Sequence, residues 1–245
     1  ALAPRRRSDQ LRPADQCIPL CRTATQWLPY VTNVSATSVG NLTIVDAYTG
    51  SSDGLLLSGI NATGKVDIRN TGSITQNAGN ITTASTSATL ATPAVLLAAG
   101  YNYAVGNTSS NVNFAAGQTI TAGAGAMTLL YTGSVANSSG LSALVNSGSG
   151  RFRYSTNVSQ AGYNTTAAAL TSGRYVLYRE APTLTVTANS STIVYGNSSS
   201  LGMTNNALNG DTLTQILGGT PTLSASGNIS TSGNWAVGNH TVTPT

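Results

Sequence analysis

Along most of the chain, apolar and β-branched residues alternate with small polar ones in short runs closed by Gly, Asn or Ser. The runs are NLTIVDA at 41–47, GLLLSGI at 54–60, KVDIRN at 65–70, GSITQN at 72–77, GNITTAS at 79–85, AVLLAAG at 94–100, GQTITAG at 117–123 and MTLLYTG at 127–133. Alternation that sends Leu42, Ile44 and Ile74 one way and Thr or Asn the other is the period of a strand with one buried face. Such short strands recur at an irregular spacing, mostly between about six and fifteen residues, as in stacked repeats. The pattern predicts an all-β chain: a right-handed parallel β-solenoid over 36–180, with a β-sandwich as the competing architecture. Helix is not expected across most of this region. TPAVLLAAGYNYAVG at 92–106 is apolar on all sides and reads as buried strands around Gly100, and Asn102 and Asn113 are placed to stack in polar ladders.

The stretch from Gly123 to Gly196 reads as a junction. Two similar strand signals, MTLLYTGS at 127–134 and RYVLYREAP at 174–182, enclose a small-residue, Asn-rich middle, and LTVTANSSTIVYG follows at 184–196. Beyond it, NALNGDTLTQILGG places the turn Asn209-Gly210-Asp211 before a polar-apolar strand, and GNWAVGNHTVTPT ends the chain in strand. Residues 181–245 are therefore expected to form a separate, compact β domain, β-grasp-like or a small sandwich.

In order along the junction come Leu129-Leu130-Tyr131, the Gly140-Leu141 turn, Tyr163-Asn164-Thr165-Thr166, Gly173-Arg174-Tyr175-Val176, and a run from Ala181-Pro182 through Tyr195-Gly196. Farther on lie Val194–Gly196, Gly210–Asp211 and Gly238–Pro244. This series resembles the filamentous-haemagglutinin-like exoproteins of two-partner secretion, at the point where the parallel β-helix ends and a "mostly bacterial" β-grasp-like repeat begins. The resemblance runs from about Gly40 to Thr245. It implies an exported bacterial surface protein, with an outer-membrane transporter as its partner during export. The family repeat continues to a last strand after the Thr-Pro; here the sequence stops, so the sheet is expected to lack that strand or to take one from another molecule.

Charged residues are only 7% of the chain, far below the roughly 25% of ordinary soluble domains, which argues against a typical cytosolic enzyme. The net charge of +4 sits mostly in the first 22 residues, where Arg5, Arg6, Arg7, Arg12 and Arg22 face Asp9 and Asp15; the rest carries +1. Beyond that head no field favours nucleic acid or anionic lipid. The head itself, with Pro4 and Pro13 and no interleaved aromatic, reads as an exposed basic arm. It opens residues 1–35, which also hold Cys17 and Cys21 and the apolar patch Trp27, Leu28, Tyr30 and Val31, expected to cap the first layer of strands. Cys17 and Cys21 can close a small disulfide loop in an oxidising compartment, stay as free thiols, or bind metal with ligands the sequence does not supply nearby. No apolar run is long enough to cross a bilayer as a helix. The start has no hydrophobic central region, so a leader removed or a longer chain upstream is expected.

No catalytic set, cofactor motif or metal cluster can be assembled. There is one His and one Glu, and His240 in the last strand reads as a surface residue. Lys65, Asp67 and Arg69 alternate along one side of a strand and are the candidates for a polysaccharide-active β-helix enzyme; a solvated charge ladder is the plainer reading. Asn-x-Ser/Thr occurs at Asn33, Asn41, Asn61, Asn80, Asn107, Asn137, Asn157, Asn164, Asn189, Asn197, Asn228 and Asn239, 12 of 22 asparagines. The Ser and Thr content alone predicts about six. The resemblance raises hexose attachment at these sites; turn-forming Asn and Thr need no glycan. The expected function is a non-enzymatic adhesin or extracellular filament component on the bacterial cell surface, bound to cell-surface or matrix receptors by extended, multivalent contact. A self-assembling head-to-tail fibre subunit, polymerising by strand exchange, is the first alternative.

Overall fold

The computed structural model describes residues 33–46, 54–159, 170–197, 202–217 and 222–245. Cys17, Cys21, the basic arm, the aromatic patch at 27–31 and Asn164 lie outside the described residues, as does the side chain of Asn33.

Strand dominates. The chain runs through β1 (Asn33–Val39), β2 (Leu42–Asp46), β3 (Leu55–Ala62), β4 (Val66–Asn70), β5 (Ile74–Gln76) and β6 (Ile81–Thr83). A small hairpin, β7 (Ala88–Thr89) and β8 (Thr92–Pro93), precedes β9 (Val95–Ala99), β10 (Val112–Phe114), β11 (Ile120–Thr121) and β12 (Met127–Thr132). After α1 (Leu141–Val145) come β13 (Phe152–Arg153) and β14 (Gly173–Tyr178). The remainder holds β15 (Val186–Ala188), β16 (Met203–Asn205), α2 (Leu213–Leu217), β17 (Leu223–Ser226) and β18 (Thr241–Pro244).

Twelve of the first fourteen strands, all but the β7–β8 hairpin, build two parallel layers. One follows the order β13-β14-β12-β9-β4-β2, the other β10-β5-β3-β6-β11 with β1 also on β3. Parallel neighbours need a long return connection. Here the returns from β2 to β4, from β4 to β9 and from β9 to β12 pass through the facing layer, so the sheet is curled around one core. In the first layer a single register runs through five strands: Ile44 opposes Ile68, Ile68 opposes Leu97, Leu97 opposes Leu130, and Leu130 opposes Val176. The last four of these side chains are fully buried. Across the core, Ala36, Ile60, Ile81 and Ile120 form the corresponding row. Stacking like on like lets branched side chains interdigitate at crystal-like density.

Where the layers turn, backbones approach closely. Gly59 and Gly79 lie over one another with φ of 100° and 66°, and a Cβ on Gly79 would sit 3.0 Å from the Gly59 Cα. A side chain on Gly79 would crowd that corner, and on Gly59 it would meet a φ that L residues rarely adopt. Buried Gln76 closes the turn between β5 and β6 by donating from Nε2 to the carbonyls of Ala78 and Gly79.

Strict alternation holds for β4, β5 and β6 but not for β9 or β12, which are buried along their whole length. Their outer faces, together with that of β14, carry a second apolar cluster, Leu96, Ala98, Met127, Leu129, Tyr131, Tyr175 and Leu177, against which Tyr101, Val158 and Leu170 pack. This is the two-sided burial that continuous apolar runs imply, and the segment around Gly100 is strand as expected over Val95–Ala99. The expected Asn ladder is absent. Asn113 opposes Thr75 in register, and Asn102 is exposed beyond β9. Asparagine instead bridges successive layers through its side-chain oxygen: Asn41 accepts from the Lys65 N–H, Asn80 from Thr119, Asn111 from Ser134 and Asn113 from Ser139, all at 2.8–2.9 Å.

Past β14 the character changes. β15 pairs antiparallel with β16, and β17 with β18, as two separate two-stranded ribbons, with α2 between them in sequence. Among the described residues no apolar side chain after Tyr178 is buried, and Val194, Tyr195, Ile229 and Val237 are more than half exposed. Over the described part of 181–245, where a separate β-grasp-like or small sandwich domain is expected, the strands form two ribbons, and alternation there places Thr, Ser and Asn opposite few large apolar residues.

Candidate functional site

The elements converge where β14 leaves the parallel layers. Tyr178 ends the core and Arg179, 1% exposed, follows it. The Arg179 guanidinium donates to the carbonyls of Ala99, Asn107, Ser109 and Ser110, with the Ser110 bond at 2.8 Å and the Asn107 bond at 3.1 Å, and it lies 5.7 Å from the Tyr103 ring centre. It ties the 99–110 loop to β14. Burial pulls its pKa down to about 10, a cost the carbonyl acceptors and the Tyr103 ring offset. The neighbouring Glu180 turns the other way and accepts from the Val135 N–H.

Beside this clamp, Tyr178 stacks on Tyr154 (5.5 Å, 12° between planes) and on Phe152 (6.3 Å, 21°). Burial raises the Tyr178 hydroxyl well above its ordinary value and that of Tyr154 to about 12. The Asn209-Gly210-Asp211 turn docks on this edge. Asn209 donates from Nδ2 to the Tyr154 hydroxyl at 2.8 Å, and its carbonyl accepts from the Gly148 N–H and the Ser147 hydroxyl. Asp211 accepts from the Gly150 N–H, and Gln215 donates to the Gly148 carbonyl. Asn209 takes φ of 56°, the left-handed region that Asn tolerates better than most residues. Burial pushes the Asp211 carboxyl up, partly countered by the Gly150 N–H and by the charge of Arg153.

Between the docked segment and the end of the layers lies a cleft of about 230 Å³, with Phe152, Tyr154, Pro182, Leu184, Leu208 and Ile216 as its apolar walls. Ser155, Thr183, Asn206 and Gln215 supply its polar rim. The amides are already engaged: Asn206 with Thr183 and Thr185, Gln215 with Thr212 and Gly148. Arg153, 7% exposed, donates inward to the Gly150 and Phe152 carbonyls.

The residues picked out from sequence fare differently. Arg69 grips Asp67 through Nε and Nη2, both at 2.8 Å, and Lys65 engages Asn41 through its backbone, so this row is an ion-paired strand face. His240 donates from Nε2 to the Ala236 carbonyl and lies 4.9 Å from Trp235; it is half-buried. Asn41, Asn61, Asn80, Asn107, Asn137, Asn189, Asn197, Asn228 and Asn239 are exposed. Asn157 is different: it is 8% exposed and its Nδ2 donates to the Tyr103 carbonyl, so a transferase cannot reach it in the folded state. Among the described residues no cluster of three His, Cys, Asp or Glu could hold a metal, and no helix is long and apolar enough to cross a membrane. The Arg179 clamp and the Tyr154–Tyr178 stack were missed by the sequence reading. The available signal was RFRY at 151–154, a two-residue alternation placing Phe152 and Tyr154 on one side. Comparison with protein-family models, with curated proteins and with solved structures found no match.

Proposed function

We propose that the chain is a right-handed parallel β-solenoid leading into a small β-grasp-like domain, and that it works as an exported bacterial surface adhesin or extracellular filament component. The observation that carries this reading is the row Ile44–Ile68–Leu97–Leu130–Val176, one register held through five parallel strands. Such a row builds a stiff, extendable rod whose outer surface, poor in charge, contacts partners along its length. The paired Asp67 and Arg69 favour the ladder over a polysaccharide-cleaving site. Cell-surface or matrix receptors are the partners this reading implies, with an outer-membrane transporter during export. Hexose attachment belongs to the same reading, at the exposed sequons. Electron microscopy of the purified protein combined with adherence of coated beads to host cells and matrix tests it: monodisperse rods that adhere support it, and compact particles that do not adhere overturn it.

One observation favours the fibre-subunit alternative. The described ribbons leave strand edges unpaired, and residues 181–245 hold one charged side chain, Asp211, which is buried. Edges without charges are poorly protected against strand addition. Long regular filaments in the same micrographs would select this alternative.

A further inference from the structure

We infer that the cleft at the end of the parallel layers binds one neutral sugar ring, so that the adhesin proposed above, on which this inference rests, recognises a glycan. Three features of the cleft point there. Its walls are apolar, and one of them, the Tyr154 ring, is held in place from two sides: Tyr178 stacks against it at 5.5 Å and Asn209 holds its hydroxyl at 2.8 Å. A pyranose presents a face of C–H groups that packs on such a ring, as apolar surface packs on aromatic faces generally. Preorganisation lowers the entropy lost on binding.

The rim selects for hydroxyls. Ser155 and Thr183 are exposed, line the cleft and place no side-chain hydrogen bond on other described residues, whereas the Asn206 and Gln215 amides are spent on the protein itself. Two free hydroxyls beside an apolar wall match a ligand with one apolar face and a polar edge better than a purely apolar side chain.

Charge excludes acidic sugars. Arg153, one of the lining residues, is 7% exposed and turned inward to the Gly150 and Phe152 carbonyls, and Asp211, held by the Gly150 N–H, is 5% exposed. Neither presents its charge openly to the cleft, so a carboxylate or sulfate would lose its hydration without gaining an accessible partner. The volume of about 230 Å³ is below the ~300–1,000 Å³ of sites for larger ligands, which limits the occupant to one ring.

The test is saturation-transfer NMR on the full chain with the methyl glycosides of glucose, galactose and N-acetylglucosamine, with methyl glucuronoside and cyclohexanol as the charged and purely apolar comparisons. At least one neutral glycoside is expected to bind saturably in the millimolar range, the strength of a single small ligand. Ser155→Ala and Thr183→Ala, both at exposed positions, should weaken it severalfold. Tyr154→Phe should keep binding within about threefold and Tyr154→Leu should lose roughly tenfold. No saturable binding by any neutral glycoside, stronger binding of the glucuronoside or of cyclohexanol, or indifference to the rim variants overturns the inference. Bead adherence separates the two levels: adherence unaffected by millimolar glycoside leaves the adhesin reading standing without this site, and glycoside binding without adherence leaves the site standing without the adhesin.

Discussion

A side chain on Gly100 and the guanidinium of Arg179 cannot occupy the same space: a Cβ on Gly100 would lie 2.7 Å from Arg179 Nη2. Gly100 also takes φ of 59°, where L side chains are strained. The pair locks the loop after β9 to the end of β14. Gly100→Ala is expected to lower stability by about 1–3 kcal/mol. Arg179→Met, which strips the donors from four carbonyls, those of Ala99 and Ser110 in buried bonds, should lose on the order of 3 kcal/mol. Urea denaturation checks both, and a change within about 0.5 kcal/mol for Arg179→Met would show that the clamp is dispensable.

The central row is the second place where a single change should tell. Ile68→Ala or Leu97→Ala removes a fully buried side chain flanked above and below by its register partners, and about 2–5 kcal/mol of stability is expected to go with it. Thr43→Ala, exposed on the same layer beside buried Leu42 and Ile44, should change stability by less than about 0.5 kcal/mol. Equal effects at the two kinds of position would mean that the core lies elsewhere.

Alkaline stability should follow the buried phenols. The Tyr154 hydroxyl is held at about 12 in the folded chain and returns to its ordinary 10 on unfolding, and Tyr178 is shifted the same way. The folded state therefore keeps protons that the unfolded state releases, and the stability they contribute is complete below pH 10 and lost as pH rises through about 12. Tyr154→Phe should flatten this fall. Denaturation midpoints measured across that span would disprove the assignment if the variant and the parent declined in parallel.

Asp211 follows the same sign at the acid end, in a window below neutral pH. Burial raises its folded-state pKa above the ordinary 3.8, so the folded chain holds the proton longer and Asp211 costs stability at neutral pH, a cost relieved as pH falls through its raised value. Asp211→Asn keeps an acceptor for the Gly150 N–H. It should stabilise the chain at pH 7 and lose that advantage below about pH 4. A variant destabilised at neutral pH would point instead to attraction by Arg153 as the dominant influence.

Hydrogen exchange should divide the chain at Tyr178. Amides of β4, β9 and β12 sit in parallel ladders over a buried core, whereas those of β15, β16, β17 and β18 sit in two-stranded ribbons, which are marginal on their own. Protection factors in the ribbons are expected to be at least about a hundredfold lower, a difference of roughly 3 kcal/mol in opening free energy. Equal protection would require the ribbons to be covered.

Short runs such as KVDIRN and GSITQN determined by themselves that the chain is strand-rich with one face buried, because a period of two is a local property that side-chain polarity alone imposes. The all-apolar run AVLLAAG likewise announced a strand buried on both sides. Only the tertiary structure decided which strands meet: that Ile68 stacks on Leu97 across 29 residues, and that Asn41, Asn80 and Asn113 reach the backbone of the next layer rather than one another. It also decided that Asn157 is buried while the sequon asparagines Asn41, Asn61, Asn80, Asn107, Asn137, Asn189, Asn197, Asn228 and Asn239 are exposed, and that Arg179 ends up enclosed by carbonyls of residues 99–110. The reason is physical. Alternation records which side of a strand faces away from water, but partner choice depends on the return path through the facing layer, and no local pattern of residues encodes the length and shape of that path.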